Sequence, residues 1–205
     1  MLPSLAFFIA ALVLAVTPGP GIAYVVARTA AGGRAEGLAS CVGTGLGGMI
    51  HVGAAALGLS VLLAQSAMGF SFVKYVGAAY LVYLGVRLLL SRTAVACVQA
   101  KPTGARRALL EGILVEALNV KTALFFLAFL PQFLVSGPTV AVQLVVMGTV
   151  CVVLNTLVDV VAVLGSARLL KSETSARHRA GLLKKASGLT LVGLGLYVAA
   201  SKRGA

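Results

Sequence analysis

Acidic side chains are scarce in this sequence, which has 5 Asp and Glu residues against 17 Lys and Arg. Only 11% of its 205 residues are charged and 60% are hydrophobic, so the chain has too few polar groups to cover the surface of a soluble globule. The composition therefore predicts a membrane protein. Because apolar stretches recur along almost the whole length, we expect one membrane domain over residues 1–205 and no separate soluble domain.

Cysteine and histidine are also few, with 3 and 2 residues. Cys41, Cys97 and Cys151 form no C-x-x-C motif and have no zinc-binding spacing with His51 or His178. We therefore expect no structural metal and no cofactor. The net charge of +12 is concentrated in short segments between apolar runs, which indicates membrane topology. This distribution of basic residues does not indicate a nucleic-acid surface, and we expect no nucleic-acid partner.

Six apolar runs approach or exceed the roughly 20 residues that a membrane span needs. They lie at about 4–27, 38–65, 72–90, 109–134, 139–167 and 185–201. The predicted fold is all-α, a polytopic membrane protein of six transmembrane helices. The last run is short and rich in glycine, so five spans with an interfacial tail are the alternative. The opening MLPSLAFF lacks a basic segment and the run resumes after Gly21, which favours a retained first span over a cleaved signal peptide.

Basic residues are concentrated in alternate connections between the runs, and cytoplasmic loops carry the excess of Lys and Arg. The first, third and fifth connections hold Arg28 and Arg34; Arg87, Arg92, Lys101, Arg106 and Arg107; and Arg168, Lys171, Arg177, Arg179, Lys184 and Lys185. The other side has Lys74, Lys202 and Arg203. We therefore predict a plasma (inner) membrane protein with these basic connections in the cytoplasm and both termini outside.

An internal repeat is indicated by an offset of 110 residues, which aligns FVKYVGAAYLVYLGV (72–86) with LLKKASGLTLVGLGL (182–196). Repeats with an odd number of helices have inverted topology. This is typical of secondary transporters, whose substrate sites lie near the midplane on discontinuous helices. We predict two inverted three-helix repeats, at about 1–92 and 108–203, joined by a basic cytoplasmic linker at about 91–108.

The first apolar run of each predicted repeat is interrupted. Pro18, Gly19 and Pro20 break the first run, because proline lacks an N–H and clashes with the preceding turn. Asn119 and Lys121 interrupt the fourth run. Backbone groups freed in lipid must find partners, so such breaks are tolerated where they face protein or a watery cavity. We predict that these residues line a substrate route, with a plain proline kink as the alternative.

Three charged residues lie deep in the predicted spans: Glu116, Lys121 and Asp159. A charge at mid-bilayer costs at least about 2.5 to 3.5 kcal/mol, so such residues usually face a cavity or a partner. Asp159 shares a helix face with Asn155, four residues earlier. We predict that Glu116, Asn155 and Asp159 also line the route. The alternative is an interhelical clamp between Asp159 and Lys121, whereas Glu111 lies near a helix end within reach of water.

His51 follows Gly43 and Gly47 at four-residue steps, a seam of small residues typical of close helix packing. A packing role is therefore one interpretation of His51. Histidine titrates near neutral pH, so His51 is also a candidate, with Asp159, for carrying a coupling proton.

Four segments resemble the LysE/RhtB family of amino-acid exporters, which includes homoserine, threonine and leucine efflux proteins. They are TPGPG (17–21), GLASCVGTGLGGMIHVGAAALGLSVLL (37–63), FVKYVGAAYLVYLGVRLL (72–89) and LNVKTALFFLAFLPQF (118–133). The resemblance covers nearly the whole chain. It implies a bacterial-type protein that moves amino acids or close derivatives outward, driven by the proton gradient, with both interruptions as signature motifs. The family usually has Asn-Pro-Lys where this chain has Val120 in the middle, which predicts a weaker second break.

The predicted function is export of a small zwitterion by alternating access, with no enzymatic activity. Half-helix N-termini suit a substrate carboxylate, and Asp159 or Glu116 would meet its ammonium or carry a coupling proton. One alternative is transmembrane thiol–disulfide electron transfer, since Cys41 and Cys151 coincide at the 110-residue offset. Another is transport of a divalent metal ion, although the spans lack a dense ligand cluster. The expected partners are an amino-acid substrate, membrane lipid and, in a homo-oligomer, a second copy.

Overall fold

The computed structural model describes residues 5–17, 19–59, 67–90, 101–135, 137–169 and 173–200. Within these ranges the chain is helical and contains no strand, which confirms the all-α prediction. The helices are α1 (Leu5–Val16), α2 (Pro20–Ala54), α3 (Ala67–Leu90), α4 (Ala105–Ala117), α5 (Val120–Leu124), α6 (Val140–Leu169) and α7 (Glu173–Ala200). Short π or 3-10 helical segments continue α2 and α5, at Ala55–Leu59, Phe125–Phe129 and Leu130–Phe133.

Two helical stretches each contain an apolar window long enough to cross a membrane, Pro20–Gly58 and Val140–Gly165. A third is obtained when Ala105–Ala117 and Val120–Phe133, which meet at a bend of 42°, are counted as one broken span. Length and composition therefore give two or three spans in the part of the chain that the structure describes, and six spans remain a prediction.

The long helix α2 reverses direction at Gly33. This residue has φ +74° and ψ −166°, a left-handed conformation that glycine adopts most readily. Thr29 packs against Gly37, and Val25 shares a buried cluster with Cys41. Residues so far apart would be separated by at least about 12 Å in a straight helix. Thus α2 is a hairpin of two antiparallel arms, α2a (residues 20–32) and α2b (residues 34–54).

Glycines bring α2b against α4 at backbone distance. A side chain at Gly43 would clash with the carbonyl of Leu109, and one at Gly47 would clash with the carbonyl of Ile113. The residue numbers rise together along the contact, so α2b and α4 run parallel. The small-residue seam predicted from the sequence is therefore the surface that α4 occupies.

Helix α6 covers another side of α2b and runs antiparallel to it. Gly48 faces Val152, and further along the contact the Thr44 hydroxyl donates a hydrogen bond to Asp159. Residue numbers fall on one helix as they rise on the other. This packing sets the predicted polar stripe of α6 against α2b.

Helices α3 and α7 pack antiparallel and in a reciprocal pattern. A side chain at Gly85 would clash with Val192, and a side chain at Gly195 would clash with Val82. The 110-residue offset carries Gly85 to Gly195 and Val82 to Val192, so each contact is the counterpart of the other. Reciprocal contacts of this kind arise about a two-fold axis.

The main hydrophobic core lies between α1, the end of α2b, α6, α7 and the segment that follows α5. Its largest fully buried members are Phe7, Val52, Phe125, Phe129, Leu130, Leu144 and Val198. Many other apolar residues face outward, among them Leu12 at 50% exposure and Val161 at 69%. Such an exposed apolar surface suits contact with lipid rather than water.

One predicted connection is helical instead. The basic segment at 168–185 was expected to be a loop before a span at 185, yet α7 begins at Glu173. Apolarity marks only the part of a helix that is embedded in a membrane, whereas backbone hydrogen bonds continue through the polar turns outside it.

A cluster of charged and polar residues connects the α2 hairpin turn to the start of α4. The Arg28 guanidinium lies 2.6 Å from the Glu111 carboxylate, and Glu36 accepts hydrogen bonds from the backbone N–H groups of Thr103 (2.8 Å) and Gly104 (2.7 Å). These contacts hold the end of the predicted linker against the first predicted repeat. Glu111 is thus paired, and Glu36 is an acidic residue whose role the sequence did not indicate.

Candidate functional site

The predicted break in the first run is present at the described residues. Helix α1 ends at Val16, and α2a begins at Pro20 after an extended Gly19 (φ −136°, ψ −173°). Proline is favoured at this first helical position, because its missing N–H would have no partner there. Pro18, the third predicted residue of this break, lies outside the described residues.

The second break separates α4 from α5 at Leu118 and Asn119. The Asn119 side chain caps α5 by accepting a hydrogen bond from the Lys121 N–H at 3.1 Å. Val120 stands at the first helical position, where proline is favoured but not required. The chain therefore breaks here without the proline that is usual in the family.

The two breaks meet through Lys121. Its buried ammonium donates to the backbone carbonyls of Leu14 (3.2 Å) and Thr17 (2.8 Å). These carbonyls lie at the end of α1, where the helix offers them few further N–H donors. The stem of Lys121 also packs against Gly19. A cation of the second predicted repeat thus binds the Thr17 carbonyl at the first break and shares the Leu14 carbonyl with the Thr17 N–H.

Glu116 lies beside the same junction and is fully engaged. Its carboxylate accepts from the Asn119 amide at 2.9 Å and from the Thr122 hydroxyl at 2.6 Å. A side chain at Gly21 would clash with this carboxylate, so it lies at the N-terminus of α2a, where negative charge is favourable. His51 Nε2 donates to the Glu116 backbone carbonyl at 2.8 Å, which ties α2b to the end of α4.

Asp159 is buried and only partly satisfied. Oδ2 accepts from the Thr44 hydroxyl at 3.1 Å and from the Asn155 amide at 3.4 Å. Oδ1 has no hydrogen-bond partner among the described residues. The alternative of a clamp with Lys121 is not formed, since the Lys121 ammonium binds backbone carbonyls instead.

A small cavity of about 20 Å³ lies beside these groups. The polar residues that line it are Thr44, Glu116, Thr122, Asn155 and Thr156. This volume holds about one water molecule. It is far too small for an amino acid.

The structure brings the predicted residues into two neighbouring groups. Gly19, Pro20, Glu116, Asn119 and Lys121 meet at the two breaks. Asn155 lines the cavity and binds Asp159, which is not itself one of the lining residues. His51 touches the first group through the backbone only.

Sequence reasoning missed the hydroxyl groups of this site. Thr122 follows Lys121 directly, so its neighbourhood to a predicted polar residue could have indicated it. Thr44 lies on the glycine seam, and its part in the site depends on the contact of α2b with α6. No pattern in the sequence indicates that contact.

The cysteines do not form a redox pair in the described part of the chain. Cys41 and Cys151 are both buried and free, and they belong to different hydrophobic clusters. Cys97 lies outside the described residues. Where the structure describes side chains, no group of three or more His, Cys, Asp and Glu residues is arranged to hold a metal ion.

Broken apolar helices whose ends meet at a buried charged cluster are typical of secondary transporters. The chain belongs to the LysE family, since the family model described as LysE type translocator matches residues 12–202. This confirms the resemblance seen in the sequence. Proteins of this family are efflux proteins and not enzymes, which also confirms that expectation.

Curated relatives match over most of their length. The homoserine/homoserine lactone efflux protein of Salmonella typhimurium is 30% identical over 167 residues, 80% of this chain and 78% of the relative. The leucine efflux protein of Salmonella choleraesuis is 28% identical over 206 residues, covering 96% and 92%. An uncharacterized membrane protein of Vibrio cholerae is 29% identical over 155 residues, covering 75% and 76%. No solved structure matches the chain significantly.

Proposed function

We propose that the chain is a secondary transporter that exports amino acids or small amino-acid derivatives across the plasma membrane. Family membership and the named efflux activities of two relatives support an amino-acid exporter. The observation that carries the proposal is the meeting of two broken helices at Lys121, beside the incompletely satisfied carboxylate of Asp159.

We further propose six spans in two inverted repeats, residues 1–92 and 108–203, that form one transporter domain with a cytoplasmic linker. In each half a helix of similar length, 12 or 13 residues, precedes the break. With both termini outside, spans two and four run in the same direction and spans three and six in opposite directions. The parallel contact of α2b with α4, and the reciprocal antiparallel contact of α3 with α7, agree with this topology.

The proposed translocation residues are those whose side chains or backbone border the junction and the cavity. They are Pro18, Gly19, Pro20, Glu116, Asn119, Lys121, Asn155 and Asp159. Opening of the site must enlarge the cavity from about 20 Å³ to a volume that holds an amino acid. Alternating access requires such an opening on each side of the membrane in turn.

The proton is the proposed coupling ion, with Asp159 and His51 as candidate carriers. Asp159 is buried with one oxygen unpartnered among the described residues, and His51 is hydrogen bonded to the Glu116 backbone. In proteoliposomes we expect an imposed pH gradient to drive transport and a protonophore to stop it. Transport that persists undiminished with the protonophore would remove the proton from the mechanism.

The proposed partners besides the substrate are lipid and, in a homo-oligomer, a second copy of the chain. Exposed apolar residues on α1 and α6, such as Leu12 and Val161, offer a surface for either. Nothing in the sequence indicates a nucleic-acid partner.

The export activity is tested by loading cells with dipeptides and measuring every amino acid released to the medium. We expect cells that overproduce the protein to release at least one amino acid faster than cells that lack its gene. Identical release of all amino acids would contradict the proposal. Replacing Cys41, Cys97 and Cys151 with alanine is a matched variant that should keep export, whereas a thiol–disulfide carrier would lose its activity.

A further inference from the structure

We propose that the transported molecule is held by its amino group on Asp159, and that its carboxylate is not required. On this proposal, amides and esters of the exported amino acid bind as well as the amino acid itself. The inference rests on the exporter function proposed above and specifies which part of the substrate the site recognises.

The positive groups at the junction are already engaged by the chain. The Lys121 ammonium donates to two backbone carbonyls of the first break. The Glu116 carboxylate lies at the N-terminus of α2a, beside Gly21. The Asn119 side chain caps the start of α5. A substrate carboxylate would have to displace one of these contacts to gain a positive partner.

The buried carboxylates differ in how many of their oxygens already have a partner. Both carboxylate oxygens of Glu116 accept hydrogen bonds from side chains of its own segment. Two buried carboxylate oxygens of the described chain have no hydrogen-bond partner, one on Glu36 and one on Asp159. The Glu36 oxygen has the Arg28 guanidinium at 3.9 Å, whereas Asp159 forms no ion pair with any described residue. Asp159 is therefore the buried carboxylate without a cation in direct contact, although the Lys121 ammonium is close enough to interact with it electrostatically.

A buried carboxylate oxygen without a hydrogen-bond partner is costly, so a group that supplies a charged donor to Oδ1 is favoured there. Thr44 and Asn155, which bind Asp159 Oδ2, line the cavity of about 20 Å³, whereas Asp159 itself does not line it. Opening of the site must therefore expose Asp159 Oδ1 before an ammonium group can reach it. An ammonium group has about the size of the one water molecule that such a cavity holds. Thr44, Asn155 and Thr156 offer oxygens to the ammonium hydrogens that do not face Asp159.

The same carboxylate can serve both directions of an exchange. An amino group on Asp159 occupies the oxygen that would otherwise take a proton. The transporter would then move outward with substrate on Asp159 and return with a proton on the same carboxylate.

The test uses the full-length protein, purified in detergent and reconstituted in proteoliposomes. The probes are matched sets built on L-leucine, on L-homoserine and on any amino acid that the export assay identifies. Each set contains the amino acid, its primary amide, its N-acetyl derivative and the acid that lacks the amino group. Binding is measured as ligand-induced thermal stabilisation and as competition against transport of the labelled amino acid.

We expect the amino acid and its amide to bind within a few-fold of each other. The N-acetyl derivative and the deaminated acid should bind at least about tenfold more weakly, because each has lost the charged donor. Asp159→Asn should remove this preference for a free amino group. Val161→Ala, on the exposed face of the same helix, is the control that should retain it.

Several results would overturn the inference and leave the exporter function intact. They are an amide that binds tenfold more weakly than its amino acid, an N-acetyl derivative that binds equally well, and an unchanged preference in Asp159→Asn. Stabilisation by sodium chloride over choline chloride that disappears in Asp159→Asn would also overturn it, because Asp159 would then bind a metal cation. Absence of export for every amino acid would instead contradict the proposed function itself.

Discussion

Buried charges at the junction of the two breaks are each stabilised by a different kind of partner. Lys121 binds backbone carbonyls, and Glu116 binds side-chain donors. Asp159 binds one hydroxyl and, through a long hydrogen bond of 3.4 Å, one amide. In a medium without water each of these contacts replaces hydration. The residues are therefore not interchangeable, although all three are buried and charged.

Lys121→Met tests the role of this ammonium. The change leaves the Leu14 and Thr17 carbonyls without their charged donor, which should lower the free energy of unfolding by about 1–3 kcal/mol. Export should fall as well, because the two breaks are no longer held together. The measurement is the midpoint of thermal unfolding in detergent, together with release of the exported amino acid by cells.

Lys185→Met is the control for the loss of a basic residue, since Lys185 is exposed on α7. We expect it to unfold and export as the unchanged protein does. Equal unfolding midpoints for Lys121→Met and Lys185→Met would contradict the assigned role of Lys121.

Helices in this protein are shaped by glycine and proline at particular positions. Gly33 turns α2 back on itself, and Gly19 and Pro20 begin α2a after the first break. Gly43 and Gly47 allow α4 to approach the backbone of α2b. Close approach of this kind is a common basis of helix association in membranes, where burial of apolar surface gives little driving force.

Gly43→Ala tests the contact between α2b and α4. Its added methyl group would clash with the backbone carbonyl of Leu109, which cannot rotate away as a flexible side chain could. We expect a loss of about 1–3 kcal/mol in stability, as for other overpacked cores. Thermal unfolding in detergent measures it.

Gly53→Ala is the matched control in the same helix, because a methyl group at Gly53 has no neighbour within 4 Å. Alanine is the better helix former, so this variant should be neutral or more stable by up to about 1 kcal/mol. A result in which both variants lose the same stability would contradict the packing argument.

At the scale of the whole molecule, the orientation of the helix pairs agrees with the charge distribution of the connections. Basic residues predict that the first, third and fifth connections lie in the cytoplasm. The hairpin turn at Gly33 belongs to the first of these connections. The connection between Phe133 and Val140 belongs to the fourth, for which the proposed topology gives the opposite side.

Single cysteines at these two turns test the topology in a variant that lacks the native cysteines. Arg34→Cys and Thr139→Cys place the thiol at exposed positions on the two turns. We expect a membrane-impermeant maleimide to label residue 139 in intact spheroplasts, and to label residue 34 only after permeabilisation. Labelling of both from the same side would rule out the inverted arrangement, and reversed labelling would rule out the orientation.

Much of this protein could be predicted from its sequence because membrane proteins are constrained by composition. The all-α class, the membrane setting and both interruptions follow from apolar runs, proline and buried charge, since lipid offers no other partner for backbone groups. The family could be recognised from Asn119 and Lys121 with the surrounding residues. Even the glycine contact between α3 and α7 follows the offset seen in the sequence.

Tertiary structure alone decided how those residues are paired. Periodicity gives the face of a helix but not its neighbour, so the partners of Lys121, the engagement of Glu116 and the isolation of Asp159 Oδ1 could not be read from spacing. A reversal between the first two runs was predicted, but its reduction to a single residue was not, because the conformation of Gly33 decides it. Residues distant in sequence become partners only when helix packing brings them together, and that packing depends on the three-dimensional fit of whole surfaces.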